Sequence, residues 1–148
     1  MKKIIRYSFL FFIFVFLGYI LILLYPPQKI PATSYFYYHI FVNDLMKQAP
    51  FKKYISYYSF SSGERYLKEH VGIAYCNIPE GEIENVQIGL LNYLKSKYDI
   101  EVDSDGWNNE IQQSYNVKSN KNMKFTVTKG SNENLNCIFF SEKEFSYD

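Results

Sequence analysis

The sequence has few of the residues that build catalytic, metal or nucleotide sites: two histidines, two cysteines and seven glycines in 148 residues. His39 and His70 lie far apart, and the cysteines, at 76 and 137, form no Cys-x-x-Cys pair, so a metal centre is not predicted. The glycines form no loop that would cradle phosphate groups, and no Gly-x-Ser-x-Gly frame marks a serine nucleophile. The sequence therefore predicts no catalytic residue, no metal and no cofactor.

The two signs of charge nearly cancel, with sixteen lysines and arginines against fifteen aspartates and glutamates. Three of the basic residues stand at the N-terminus, which leaves thirteen against fifteen, a net charge of about −2, for residues 29–148. A chain without a basic stripe lacks the electrostatic footprint of a nucleic-acid-binding protein, so no nucleic-acid partner is predicted. The sequence also has no Asn-x-Ser/Thr sequon, which favours a bacterial envelope over a glycosylating lumen.

An apolar run of nineteen residues without a charge, YSFLFFIFVFLGYILILLY, extends from Tyr7 to Tyr25. As a helix with a rise of ~1.5 Å per residue it would reach roughly 28 Å, about the thickness of a bilayer's hydrocarbon core. The run is longer than the ~7–15 apolar residues of a secretory signal, and the one small-residue cleavage site, near Ala32, follows Pro31. An uncleaved anchor is therefore favoured over a cleaved signal peptide, with the lipid bilayer as the predicted contact of residues 7–25.

The positive charges predict the orientation of this anchor. Lys2, Lys3 and Arg6 precede the run, and only Lys29 follows it closely. Because basic flanks stay in the cytoplasm, we expect a single-pass inner-membrane protein with its N-terminus in the cytoplasm and its C-terminal part in the periplasm or outside. The predicted segments are a basic cytoplasmic tail (1–6), a transmembrane anchor (7–25), a Pro-rich stalk (26–32) and an extracytoplasmic α+β domain (33–148).

Two cysteines, Cys76 and Cys137, lie in the part of the chain predicted to be outside the cytoplasm. In an oxidising compartment an even, isolated pair usually forms a bridge, so we predict a disulfide between them. Closing a loop of about sixty residues would stabilise the fold by roughly 4 kcal/mol.

Hydrophobic periodicity predicts an α+β domain in which two main helices pack on a largely antiparallel sheet. The expected elements, in chain order, are helix 33–48, strand 51–60, strand 71–78, helix 82–98 and strand 100–102. Beyond residue 110 the apolar residues alternate with polar ones, which predicts an antiparallel meander of three strands with one buried face. The last of these strands would turn Leu135, Cys137 and Phe139 towards that face.

The predicted binding residues are Tyr35, Phe36, Ile40 and Trp107. The first two turns of helix 33–48 are apolar nearly all round, because Phe36 and Ile40 fall opposite the stripe that contains Tyr35. Such a helix is buried on both faces or lies against lipid or another protein. Trp107, the single tryptophan, either plugs the helix–sheet interface or anchors a partner from an exposed loop.

The order of these parts predicts a membrane-tethered protein-binding module without catalysis. The layout resembles that of bacterial immunity proteins that guard the periplasm against envelope-acting toxins, and accessory subunits of envelope complexes share it. The alternative is a small envelope hydrolase or glycan-binding enzyme that uses the region from Asp103 to Glu110. The Asp103-x-Asp105-Gly106 fragment of that region does not complete a calcium loop, because the twelfth position is Gln112.

Overall fold

The structure, a computed structural model, describes residues 2–24, 27–62, 67–104, 106, 109–132 and 134–145. These residues form the α-helices Lys2–Leu24 (α1), Tyr35–Phe41 (α2), Asp44–Gln48 (α3) and Ile83–Lys97 (α4). They also form the strands Lys29–Pro31 (β1), Ile55–Ser62 (β2), Leu67–Tyr75 (β3), Ile100–Val102 (β4), Gln112–Val117 (β5), Asn120–Asn132 (β6) and Leu135–Phe145 (β7).

All these strands belong to one antiparallel sheet in the order β1-β2-β3-β7-β6-β5-β4. The predicted meander is confirmed, since β5, β6 and β7 are successive neighbours, and β7 returns to the centre of the sheet beside β3. The two edges are the three-residue strands β1 and β4, which leave few unpaired backbone groups for another chain to pair with. The predicted α+β class is correct.

Helices α2, α3 and α4 pack on the same face of the sheet. The ring of Tyr38 in α2 lies 5.3 Å from that of Tyr58 in β2, and the ring of Tyr98, just after α4, lies 5.2 Å from that of Phe125 in β6. Side chains on this face of the sheet form the core, and those that are fully buried include Ile73, Tyr75, Phe125, Val127, Ile138 and Phe140.

Helix α4 matches the predicted helix 82–98. Its buried residues Val86, Leu90 and Leu94 recur at helical spacing, which gives one apolar stripe against the sheet. Glu84 lies in the first turn and Lys95 in the last, where each charge interacts favourably with the helix dipole.

The predicted helix 33–48 is broken in two. Val42 and Asn43 leave the helical conformation between α2 and α3, with Asn43 at φ −74°, ψ 168°. The Asn43 side chain accepts a hydrogen bond from the Met46 backbone N–H at 3.0 Å and donates one to Glu142 at 2.8 Å. An asparagine that caps a new helix in this way competes with continuation of the old one, which explains the break.

Part of the predicted stalk 26–32 belongs to the sheet. Lys29, Ile30 and Pro31 are extended, as the prolines predict, but they pair with β2, and Ile30 is completely buried. Pro31 is tolerated here because an edge strand has one row of backbone groups without a ladder partner. The folded domain therefore begins before the predicted boundary at residue 33.

The buried face of β7 is displaced by one residue from the predicted one. Ile138 and Phe140 face the helices and are completely buried, whereas Cys137 and Phe139 lie on the opposite face of the sheet. Because side chains alternate along a strand, a shift of one residue exchanges the two faces. Both sets of residues are apolar, so the alternation in the sequence did not distinguish them.

The predicted pairing of Cys76 and Cys137 is confirmed, with the two sulfur atoms at disulfide distance, 2.12 Å. Cys76 directly follows β3, and Cys137 lies beside it in β7, so the bond joins neighbouring strands at the centre of the sheet. Ala74 is buried with the two cysteines, and the half-buried rings of Tyr57 and Phe139 pack against this small cluster.

Helix α1 exposes most of its apolar side chains: Phe9, Phe11 and Phe14 are 67%, 67% and 77% exposed. Near its C-terminal end, Ile22 is half-buried against the core of the domain. By the usual criteria of length and hydropathy, none of the helices formed by the described residues qualifies as a membrane span.

Candidate binding surface

The face of the sheet opposite the helices is here called the open face. No helix formed by the described residues crosses it. Its central strands direct small or hydroxyl side chains to this face at Ser59 and Ser61 in β2, Gly72 and Ala74 in β3, and Ser141 in β7, together with the ring of Phe139. A sheet with one face packed and one uncovered usually alternates apolar and polar residues, and the run from Tyr58 to Ser61 in β2 follows that pattern.

A hollow of about 340 Å³, here called the groove, lies on the open face over β2, β3 and β7. Ser59 and Ser141 line it, and both are paired with Gly72, which lies between them in β3. Gly72 is required there because a Cβ atom at this position would lie 2.6 Å from the Ser59 Oγ and 3.1 Å from the Phe140 carbonyl oxygen. The second of these contacts is with backbone, so any side chain at residue 72 would disturb the sheet.

Two aromatic rings, those of Tyr57 and Phe139, border the groove. The Lys29 Nζ lies 5.1 Å from the centre of the Tyr57 ring, a cation–π distance that favours this ring position. Among the described residues, those that line the groove include Lys29 and His70 and no carboxylate. The described residues of the groove therefore offer aromatic surface and hydroxyl groups that donate and accept hydrogen bonds.

His70 borders the groove at the end opposite Tyr57, paired with Ser61 on one side and Lys143 on the other. Burial, together with the positive charge of Lys143, lowers the pKa of His70 below its ordinary value of 6.5. Its Nε2 atom is buried and has no hydrogen-bond partner among the described residues. The imidazole is consequently neutral at pH 7.

Acidification is expected to destabilise the domain through His70. Because the pKa is lower in the folded state, the stability that this group contributes is present above pH 6.5 and is lost as the pH falls below it. The slope stays under about 1.4 kcal/mol per pH unit, because only one proton is taken up, and solvent screening of the half-buried ring lowers the total effect. Urea unfolding measured from neutral pH into the acid range gives the free energy of unfolding at each pH. In His70→Gln this free energy should fall less with decreasing pH than in the natural chain. His39→Gln, at the exposed histidine of α2, should leave the pH dependence unchanged, and an equal reduction by both substitutions would contradict the assignment.

A second hollow on the open face, of about 560 Å³, lies beside Asp103 at the β4–β5 connection. Asp103 is only 3% exposed, and its carboxylate accepts hydrogen bonds from the Lys124 Nζ at 3.0 Å and the Asn116 Nδ2 at 3.1 Å. These bonds hold the connection against β5 and β6. Of the other carboxylates considered for a hydrolase, Glu110 is exposed and Asp105 lies outside the described residues.

Replacing Asp103 by alanine should lower the free energy of unfolding by about 2 kcal/mol, because it leaves the half-buried ammonium of Lys124 and the half-buried amide of Asn116 without their buried acceptor. Glu110→Ala, in the same connection but exposed, should change it by less than about 0.5 kcal/mol. Urea unfolding of both variants measures the difference. Equal stability of the two would contradict a structural role for Asp103.

The predicted binding residues of α2 lie at different depths. Tyr35 is 79% exposed and Phe36 48% exposed, while Ile40 is half-buried against the core. Tyr35 also borders a hollow of about 350 Å³, together with Tyr38, Tyr58 and Lys52. Trp107, the fourth predicted residue, lies outside the described residues.

The structure thus leaves Tyr35 and Phe36 exposed, half-buries Ile40, and adds the groove, which was not predicted from the sequence. A signal for the groove was present in the sequence: Tyr57, Ser59 and Ser61 alternate with the buried side of β2, as His70, Gly72 and Ala74 do in β3. Small and hydroxyl residues at every second position of two adjacent strands indicate a shallow, uncovered region of a sheet.

Comparison of the chain with protein-family models, with curated proteins and with solved structures gave no match. Within the part of the chain that the structure describes, no three histidine, cysteine, aspartate or glutamate residues are grouped so as to hold a metal ion.

Proposed function

We propose that the chain is a single-pass membrane protein whose extracytoplasmic domain binds a protein partner without catalysing a reaction. The partner docks on the open face, with one of its side chains seated in the groove. The observation that carries this proposal is the groove itself, bordered by two aromatic rings on a sheet face that no described helix covers. The role would be that of an immunity or inhibitor protein, or of an accessory subunit of an envelope complex.

The anchor is proposed for residues 7–25 and is supported by the nineteen-residue uncharged run and by the exposure of the phenylalanines of α1. An apolar surface of this size is rarely left in contact with water, and lipid is the cover that the basic N-terminal flank favours. The disulfide between Cys76 and Cys137 supports an oxidising compartment for the domain.

A protein partner is favoured over a small ligand because the groove opens onto a sheet face that no described helix covers. Partner side chains that fill such hollows, bordered by aromatic residues, carry much of the binding energy in protein–protein interfaces. The hydroxyl groups of Ser59, Ser61 and Ser141 can form hydrogen bonds with polar groups of the partner around the side chain in the groove.

Filling the groove should abolish partner binding. A photo-crosslinking amino acid at Ser59 of the full-length protein, activated in native membranes, is expected to give one discrete protein adduct. Ser141→Arg places a long charged side chain over the groove and should lower the adduct yield about tenfold or more, as the loss of a central contact does.

Ser119→Arg, the same substitution in the exposed β5–β6 turn, is the matched control and should leave the yield unchanged. A cross-linker at the exposed residue Glu84 of α4 should give no such adduct. Adducts with lipid alone, or an equal yield from the Ser141→Arg and Ser119→Arg variants, would contradict the proposal.

A further inference from the structure

The chain length between α1 and the sheet constrains where the domain stands. Helix α1 ends at Leu24, and β1 begins at Lys29, where the Gln28 carbonyl already accepts a hydrogen bond from the Phe60 N–H at 3.1 Å. Five residue steps span at most about 17 Å. The β1 edge of the sheet therefore lies within that distance of the end of α1, and Ile22 contacts the core directly.

Helix α2 lies at the same end of the molecule. It begins four residues after Pro31 and packs on β2, the neighbour of β1, through the ring pairs Tyr38–Tyr58 and Phe41–Phe60, at 5.3 and 5.0 Å. At its N-terminal end, Tyr35 and Phe36 are exposed, at 79% and 48%. A tyrosine ring, with its apolar body and polar hydroxyl group, is enriched in the headgroup layer of a bilayer, and the ring of Phe36 adds exposed apolar surface.

The charges around α2 favour the same location. No aspartate or glutamate occurs before Asp44, so all fifteen acidic residues lie between residues 44 and 148. Lys52 stands beside α2 and lines a hollow of about 350 Å³ with Tyr35, Tyr38 and Tyr58. A lysine close to an anionic lipid surface is attracted to the lipid phosphates.

We propose that α2 lies in the phospholipid headgroup layer, with the rings of Tyr35 and Phe36 inserted and Lys52 facing the lipid phosphates. The proposal rests on the membrane anchor of the proposed function. It gives the domain one orientation, with the β1 edge at the bilayer. The opposite edge, β4, is six strand spacings away, about 29 Å, so the hollow beside Asp103 stands clear of the membrane.

Tryptophan quenching by spin-labelled lipids tests this orientation. Full-length protein with Trp107→Phe is reconstituted in vesicles of phosphatidylcholine and phosphatidylglycerol, and a single tryptophan is placed by Phe36→Trp, Ile88→Trp or Phe14→Trp. The tryptophan at position 36 should be quenched about twofold or more by a shallow label, and that at position 88, exposed on α4, should not be.

The tryptophan at position 14 separates the two proposals. Quenching at 14 by a deep label without quenching at 36 would overturn the headgroup contact alone, and absence of quenching at 14 would overturn the anchor and with it this contact. Should Trp107→Phe prevent folding, a photo-crosslinking amino acid at Phe36 in the otherwise unchanged chain should form lipid adducts that the same group at Ile88 does not. Adducts at neither position would overturn the proposal.

Discussion

Replacing both Cys76 and Cys137 by alanine is expected to lower the free energy of unfolding by about 4 kcal/mol. The two cysteines are 61 residues apart in sequence, and cross-linking a loop of that length removes much of the conformational freedom of the unfolded chain. The buried contacts of the bond with Ala74 and with the rings of Tyr57 and Phe139 are lost as well. Urea unfolding of the full chain in detergent, with and without the substitutions, measures the effect.

Reduction provides the control for this prediction. A thiol reductant should destabilise the natural chain by a similar amount and should have no effect on the doubly substituted variant. A loss below about 1 kcal/mol, or an equal response of both proteins to reductant, would contradict a stabilising disulfide.

Phe140→Ala is expected to cost about 3–5 kcal/mol, the range for removing a large side chain from a close-packed core. Phe140 is completely buried, faces the helices and stacks with Phe125 at a centroid distance of 6.2 Å. The cavity left behind would be enclosed by neighbouring strands that cannot collapse into it.

Phe139→Ala is the matched control, because it makes the same change at the adjacent residue on the open face. Phe139 is half-buried, so its loss should cost clearly less. Urea unfolding of the two variants thus also tests which face of β7 is buried. A cost for Phe139→Ala equal to or above that for Phe140→Ala would contradict the register.

Elements were predicted correctly from the sequence where the spacing of their apolar residues fits only one secondary structure. Helix α4 has an unbroken stripe at helical spacing, and the meander has clear polar turns, so both were found. The register of β7 was not, because Cys137, Ile138, Phe139 and Phe140 are consecutive apolar residues that give no alternation to read. The break before Asp44 was missed because the Asn43 cap depends on a tertiary bond to Glu142.

The candidate sites also differ in how far the sequence predicts them. Tyr35 and Phe36 were predicted as exposed binding residues because helix 33–48 begins with more apolar residues than one buried face can hold, and this is visible in the sequence. The groove depends on which face of the sheet the helices occupy, and therefore on packing between residues distant in sequence. Gly72 illustrates this: its requirement for glycine arises from Ser59 and from the Phe140 carbonyl, neither of which is near it in the chain.

Protease accessibility in intact spheroplasts tests the central claim, that a disulfide-bonded domain is tethered on the outer side of the membrane. We expect protease added outside to digest the domain without lysis and to leave a membrane-bound N-terminal fragment. Cys76 and Cys137 should resist alkylation until the protein is reduced. Protection of the domain until the membrane is permeabilised, free thiols, or a soluble protein trimmed near Ala32 would contradict it.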